Sequence, residues 1–355
     1  MNGKQLDGLQ EYFQLPGKDY GIRELRQGLI HNTYLLLKHG VPEFILQQIN
    51  TRVFPDVPAL MGNLCHALPF LSAEDYQHIE VIKTKDGGLY LDTGEAGCWR
   101  VLTYVPGSIT HNTTSRPGIA REAGRVICRF HSLLKDAPGD EFIQVLPGFH
   151  DLELRKRQFV NALENASEVR KSQARQALSI SGKFMEYPFP FDMNTLPARI
   201  CHNDTKLNNI LFSEKGEKAL CLIDLDTIMP GSFLYDFGDA VRTIVNTAPE
   251  DERMLDKIKF SRLLFQAFVE GLACEPELLH EAEVKHLPYG AIYMPLLHGL
   301  RALTDFLSGD IYYQVAYDMQ NLDRSMSLLT FALRAAGELD YMREVVEKKL
   351  GQSGN

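Results

Sequence analysis

Residues 201–212 read CHNDTKLNNILF, and residues 221–231 read CLIDLDTIMPG. The first stretch places His202, Asp204 and Asn209 in an H-x-D-x-x-x-x-N pattern ahead of an apolar tail. In the second, the apolar run ALCLI (219–223) ends in Asp224, 20 residues after Asp204. Bare carboxylates at the ends of two strand-like segments need a partner that the chain does not obviously supply. In front of this pair, IHNTYLLL (30–37) and EFILQQI (43–49) read as strands joined by KHGVP, a turn with Gly and Pro. Residues 55–71 have helical spacing at Leu60, Met61, Leu64 and Leu68. KTKDGGLYL suggests a hairpin turn at Asp86-Gly87-Gly88, and CWRVLTYV (98–105) a buried strand ending at Pro106-Gly107. Beyond it the period becomes helical, beginning with residues 118–134, and the two strand-like pieces around 208–212 and 219–225 are the expected interruptions. The expected fold class is α+β with two lobes: a β-rich lobe over 1–106, a mainly helical lobe over 107–355, and TYVPGS as the hinge.

The order Asp, Asn, Asp is the one that kinase-type phosphoryl transfer uses. Such transfer needs an in-line hydroxyl, a base, and positive charge where phosphate oxygens gather. Asp204 is therefore the candidate base. Asn209 and Asp224 are the candidate Mg²⁺ ligands, because the ion takes oxygen donors and is often held by one or two protein carboxylates. Asp and Asn also serve as turn and cap residues, which is the plainer reading of each alone. His202 reads as a structural hydrogen-bonding residue. No GxxxxGK[ST], HExxH or GxSxG motif occurs. A glycosidase pair of Asp224 and Asp226 is excluded if both lie on a strand, since alternate residues there face opposite sides.

Composition bounds the partners. The 355 residues carry a formal charge of −9, with 45% apolar residues, which argues for an ordinary globular core and against a nucleic-acid surface. An anionic substrate then has to be met by a metal or a few placed cations. Six cysteines without a CxxC pair read as buried reduced thiols. No signal peptide and no membrane-spanning run are expected, and a cytoplasmic setting fits.

HNDTKLNN with IDLDTIMPGSFLYDFGD resembles the aminoglycoside phosphotransferase and choline kinase family of the protein-kinase-like fold. Together with HGLRALTDFLSGDIYY (298–313) and GLIHNTYLLL, it is similar to the N-acetylhexosamine 1-kinase branch. The resemblance implies ATP and Mg²⁺ as cofactors, a small-molecule sugar as acceptor, and a monomer or homodimer. It makes Asp204 the base on an anomeric hydroxyl, and it brings Asp224, Arg301 and Tyr312 to the sugar. For Arg301 the plainer reading is a surface or ion-paired helix residue, and for Tyr312 a core aromatic. Asp236 resembles an acid that braces the catalytic loop. Gly28 and Thr33 fall in the phosphate-covering segment, and Thr103, Tyr104 and Val105 in the hinge that meets adenine. The chain departs from the pattern where sugar kinases read G-H-I-N-x-T-Y, with Leu29 and His31 replacing the His and Asn. Gln47 stands where many kinases carry Lys, leaving the metal or a residue such as Arg52 to supply that charge. Thr243 stands where the sugar kinases can carry an aromatic. The rival readings are an amino-alcohol or aminoglycoside kinase, which an arginine in the pocket disfavours, and a non-catalytic protein of kinase shape.

Overall fold

The computed structural model describes residues 8–25, 30–275 and 277–351. Strands β1 (Gly21–Leu25), β2 (Asn32–Lys38) and β3 (Val41–Ile49) form an antiparallel meander. The β2–β3 turn falls in KHGVP, where His39 and Gly40 both have positive φ, 51° and 82°. That backbone matches a two-residue turn to the twist of its strands. Helix α1 (Val57–Ala67) follows, capped by Asp56, whose Oδ1 accepts from Ala59 N at 2.9 Å. Strands β4 (Val81–Ile82), β5 (Leu91–Asp92) and β6 (Cys98–Thr103) complete a six-stranded sheet ordered β1-β2-β3-β6-β4, with β5 also on β6. The turn within KTKDGGLYL forms, closed by Thr84 N to Gly88 O at 2.8 Å. However, β4 and β5 each pair with β6 and not with each other. Two-residue strands do not sustain a hairpin, and the longer β6 offers both a partner.

Alternation gives the sheet two different faces. Leu36, Phe44, Leu46, Trp99 and Val101 form a small core with Leu9, Phe13 and Tyr20 of the N-terminal segment. The opposite face carries two cross-strand rows. Thr33, Gln47 and Arg100 make a polar one, and Leu35, Ile45 and Leu102 an apolar one beside the hinge.

The second lobe holds β7 (Ser108–Ile109), α2 (Pro117–Leu133), α3 (Leu152–Asn165), α4 (Glu168–Gln173) and α5 (Arg175–Met185). Then come β8 (Arg199–Cys201), β9 (Ile210–Ser213), β10 (Ala219–Leu222), β11 (Met229–Gly231) and α6 (Phe233–Ile244). The lobe ends with α7 (Arg262–Leu272), α8 (Glu281–Ser308), α9 (Gln320–Gly337) and α10 (Leu339–Leu350). The expected strand pieces are β9 and β10. The sequence pattern missed β7, which joins β9, and the β8–β11 pair, because pieces of two or three residues show no period. Helix α8 lies at the centre against α3, α6 and α9. Among the described residues no helix is long and apolar enough to cross a membrane, and all six cysteines are free.

Two helix crossings are set by glycine. A Cβ at Gly124 in α2 would lie 2.1 Å from Phe268 O, and one at Gly271 in α7 would lie 1.9 Å from Arg121 O. Likewise a Cβ at Gly238 in α6 would meet Gly290 O of α8 at 2.2 Å. Backbones touch at these points, so a methyl group forces the helices apart. Gly124→Ala is expected to destabilise by about 1–3 kcal/mol despite the better helix propensity of Ala. Gly182→Ala in α5, with open space around it, should be neutral or stabilising by up to about 1 kcal/mol. Urea denaturation of both variants checks the contrast, and equal effects would remove the close-packing argument.

Candidate active site

The loop after β8 is shaped by one buried carboxylate. Asp236, in the first turn of α6, accepts from His202 N at 2.9 Å, Asn203 N at 2.7 Å and His131 Nε2 at 2.9 Å. Asn203 takes a left-handed backbone, φ 63°, which Asn tolerates better than most residues. Its side-chain amide donates to the carbonyls of Cys201, Thr227 and Met229. His202 Nδ1 accepts from Asp204 N at 3.2 Å, so its Nε2 donates to Ile223 O at 2.9 Å. His202 is therefore structural, as expected, and ties the loop to the end of β10.

Asp204 emerges from this loop. Its Oδ2 accepts from Lys206 Nζ at 2.7 Å and Asn209 Nδ2 at 2.9 Å. Asn209 O accepts from Ile223 N at 2.9 Å, which brings Asn209 next to Asp224. Asp224 is left-handed too, φ 62°, and begins a 3-10 turn, Leu225–Thr227. Among the described residues its carboxylate and the Asn209 Oδ1 accept no hydrogen bond. Burial pushes the Asp224 carboxyl up, Asp226 adds to this, and Lys206 opposes it. A half-buried carboxylate with no donor among the described residues favours a cation beside it.

The strand-based exclusion of an Asp224–Asp226 pairing is corrected here. Strand β10 stops at Leu222, and the turn brings polar atoms of His31, Asp224 and Asp226 within 4.8 Å of one another. Burial would raise the Asp226 carboxyl, but Arg100 and then His31 hold it well below the usual carboxylate range. Gln47, in the lysine position, accepts from Arg100 Nε at 3.0 Å and Nη2 at 2.8 Å and donates to Thr33 Oγ1 at 3.2 Å. Arg52, the expected substitute cation, is exposed. Gly28 and Leu29 lie outside the described residues.

In the hinge, Thr103 N donates to Glu80 O and Tyr104 N to Glu43 O, both at 3.0 Å. Those two donors are thus already used. Val105 N and Tyr104 O remain without a partner among the described residues. Arg301 of α8 lies over the rings of Phe149 at 4.9 Å and Tyr312 at 5.8 Å. It has no carboxylate partner among the described residues, so the ion-paired reading does not hold. Tyr312 is 57% exposed and not a core residue. The loop that bears it is pinned by Asp305, which accepts from the amides of Ile311, Tyr312 and Tyr313. One turn before Arg301, His298 Nε2 meets Asp239 Oδ1 at 3.1 Å. Asp239 also pairs with Arg242 at 2.6 Å, three residues on along the helix, and its charge acts on Lys206. Thr243, one further turn along α6, accepts from Leu207 N at 2.9 Å.

The phosphotransferase enzyme family matches residues 21–266, more than half of the chain. The chain belongs to that family. This phosphotransferase has an antiparallel sheet in the N-lobe and a helical C-lobe. Its fold is similar to that of a microcompartment-associated aminopropanol kinase, with 17% identity, a TM-score of 0.62, and coverage of 96% of this chain and 98% of that one. It is also similar to an amicoumacin kinase in complex with AMP-PNP, Ca²⁺ and Ami, with 12% identity, a TM-score of 0.57, and coverage of 100% and 96%. A third similar structure is an aminoglycoside phosphotransferase from Alicyclobacillus acidocaldarius, with 15% identity, a TM-score of 0.56, and coverage of 93% and 94%. At these identities the likeness concerns the fold.

Sequence reasoning passed over Arg100 and Asp305 in this phosphotransferase, and set Asp226 aside as a strand residue facing away from Asp224. The usable signal was Arg100 itself, a charge inside the apolar run CWRVLTYV, because a buried arginine must be paired. Buried histidines make a further prediction. Burial and then Arg242 lower the His298 pKa to about 4, with Arg301 adding and Asp239 opposing. Burial and then His298 lower His150 to about 3. Unfolded chains take up these protons near pH 6.5, so protonation favours unfolding. Stability should be full above about pH 6.5 and fall toward pH 4, with a slope approaching about 2.7 kcal/mol per pH unit for two imidazoles. Denaturant melts from pH 7 to 5 read this slope. His298→Gln should roughly halve it, and an unchanged slope would contradict neutral burial of His298.

Proposed function

We propose that this phosphotransferase uses ATP and Mg²⁺ to phosphorylate a sugar, at the anomeric hydroxyl of an N-acetylhexosamine, giving the sugar 1-phosphate. The observation that carries the reading is the meeting of Asp204, Asn209 and Asp224 around Ile223, with Asn209 Oδ1 and the Asp224 carboxylate unclaimed among the described residues. In this reading Asp204 takes the proton of the acceptor hydroxyl while that oxygen attacks the γ-phosphorus and ADP leaves. Asn209 Oδ1 and the Asp224 carboxylate fit a hard cation, being oxygen donors without hydrogen-bond partners. Bound there, the ion would supply the positive charge that gathers the phosphates in a chain of net charge −9.

The division of labour at residue 106 is part of the proposal. Residues 1–106 cover the nucleotide, with Thr33 near the phosphates; Gly28, which the family resemblance assigns there too, lies outside the described residues. The apolar row Leu35, Ile45 and Leu102 faces the base, and the open Tyr104 O and Val105 N of the hinge meet its edge. Residues 107–355 hold the chemistry and the acceptor. Arg301, a donor without an anionic partner, and Tyr312 bind acceptor hydroxyls or the N-acetyl group. An unpaired guanidinium disfavours a cationic acceptor.

A second reading has its own support. A cavity of about 980 Å³ is lined by Phe149, Tyr187, Phe189, Phe191 and Tyr293 with Asp151 and Glu153. Aromatic faces and carboxylates suit an amine, as in an amino-alcohol or aminoglycoside kinase. ADP release with N-acetylglucosamine, N-acetylgalactosamine, glucose, galactose, choline and an aminoglycoside separates the two. Turnover with an N-acetylhexosamine is expected, and turnover with the amines alone would replace the sugar reading. Asp204→Asn should lower kcat by about 10²–10⁴ with nucleotide binding retained. Full activity in that variant would refute the assigned base.

A further inference from the structure

Asp226 is buried and meets two side chains from the other lobe. Arg100 of β6 grips it at both ends, Nη2 to Oδ2 at 2.8 Å and Nη1 to Oδ1. His31, just ahead of β2, places Nε2 2.5 Å from Oδ2. These partners lie 126 and 195 residues away in the chain. Arg100 is only 2% exposed and is oriented by Gln47, so the cation of the polar row turns to a carboxylate of the second lobe and not to solvent.

The grouping of His31, Asp224 and Asp226 suits a metal at first sight. The hydrogen bonds argue otherwise. Asn50 N donates to His31 Nδ1 at 3.0 Å, so the ring carries its proton on Nε2 and has no lone pair there for an ion. Both Asp226 oxygens are engaged by donors. Among the described residues, Asp224 is the one of the three whose carboxylate accepts no hydrogen bond.

We propose that Arg100, Asp226 and His31 form an interlobe strut, and that Asp226 is a positioning residue that fixes the left-handed turn of Asp224 without binding metal. The proposal rests on the kinase reading above. A strut of this kind joins the sheet that covers the nucleotide to the turn that carries the metal ligand. It also accounts for Gln47: a lysine there would compete with Arg100 for Asp226, whereas the amide orients the guanidinium. The nucleotide phosphates then receive no cation from this row of the sheet.

The test measures AMP-PNP binding by calorimetry with and without Mg²⁺, and the Mg²⁺ concentration giving half-maximal rate. His31→Gln keeps the Arg100–Asp226 pair and is the mild variant. Arg100→Met/Asp226→Leu removes both buried charges together, which avoids leaving one unpaired. Both are expected to keep a cooperative melt, to need about 10- to 100-fold more Mg²⁺, as outer-shell changes at metal sites do, and to leave the acceptor KM unchanged. Wild-type Mg²⁺ dependence in the folded double variant would overturn the strut. So would Asp226→Asn if it removed Mg²⁺-dependent binding as fully as Asp224→Ala while His31→Gln changed nothing, since that pattern marks a ligand. A wild-type protein that binds no AMP-PNP with Mg²⁺ would overturn the kinase reading itself, a result distinct from both.

Discussion

The carboxylate of Asp236 is the constraint on which the site depends. It is fully buried, and it accepts two consecutive backbone amides, those of His202 and Asn203, together with His131. Those amides belong to a loop that leaves strand geometry through a left-handed residue, so no sheet ladder can satisfy them. A buried acceptor with three donors fixes the loop in one shape and directs Asp204 outward. The position of Asp236 is set in turn by α6, which is pressed backbone to backbone against α8 at Gly238 and Gly290. Packing of two helices thus reaches Asp204 and the candidate site through a few hydrogen bonds.

From that loop the geometry spreads to the N-lobe sheet. His202 holds Ile223 O and Asn209 holds Ile223 N, so Asp224 directly follows a residue anchored at both its N–H and its carbonyl. Beyond it, Asp226 is clasped by Arg100 and His31. The N-lobe sheet meets this turn with its polar row, while the apolar row lies nearer the hinge. Both rows share one face of the sheet, and their order along the strands gives that face an apolar end and a charged end. The buried ion pairs are weak evidence for stability, because desolvation offsets much of their attraction. Their geometric specificity is what matters to the site.

Much of this was legible in the chain. His202, Asp204, Asn209 and Asp224 announced a loop and a strand end, and the β2–β3 turn was readable from Gly40. The family reading of Asp236 as a brace agrees with its hydrogen bonds. What escaped was tertiary. Asp226 looked like a strand residue facing away from Asp224, because nothing in ALCLIDLD marks where β10 stops and the backbone turns left-handed. Arg100 looked like one charge in an apolar strand until its partner 126 residues away was known. Strands β7, β8 and β11 are too short for any period, and β4 and β5 owe their pairing to β6. Arg301 and Tyr312 do come together, but only because Asp305 pins the intervening loop through three amides. Such side-chain-to-backbone anchors leave no spacing rule behind.

The most direct measurement is a crystal structure of the protein with AMP-PNP and Mn²⁺, located by its anomalous scattering. The account predicts a peak within about 2.3 Å of both Asn209 Oδ1 and an Asp224 oxygen, facing the γ-phosphate with Asp204 on its far side. A peak coordinated instead by Asp226 and His31, or nucleotide bound with no metal near Asn209, would contradict it.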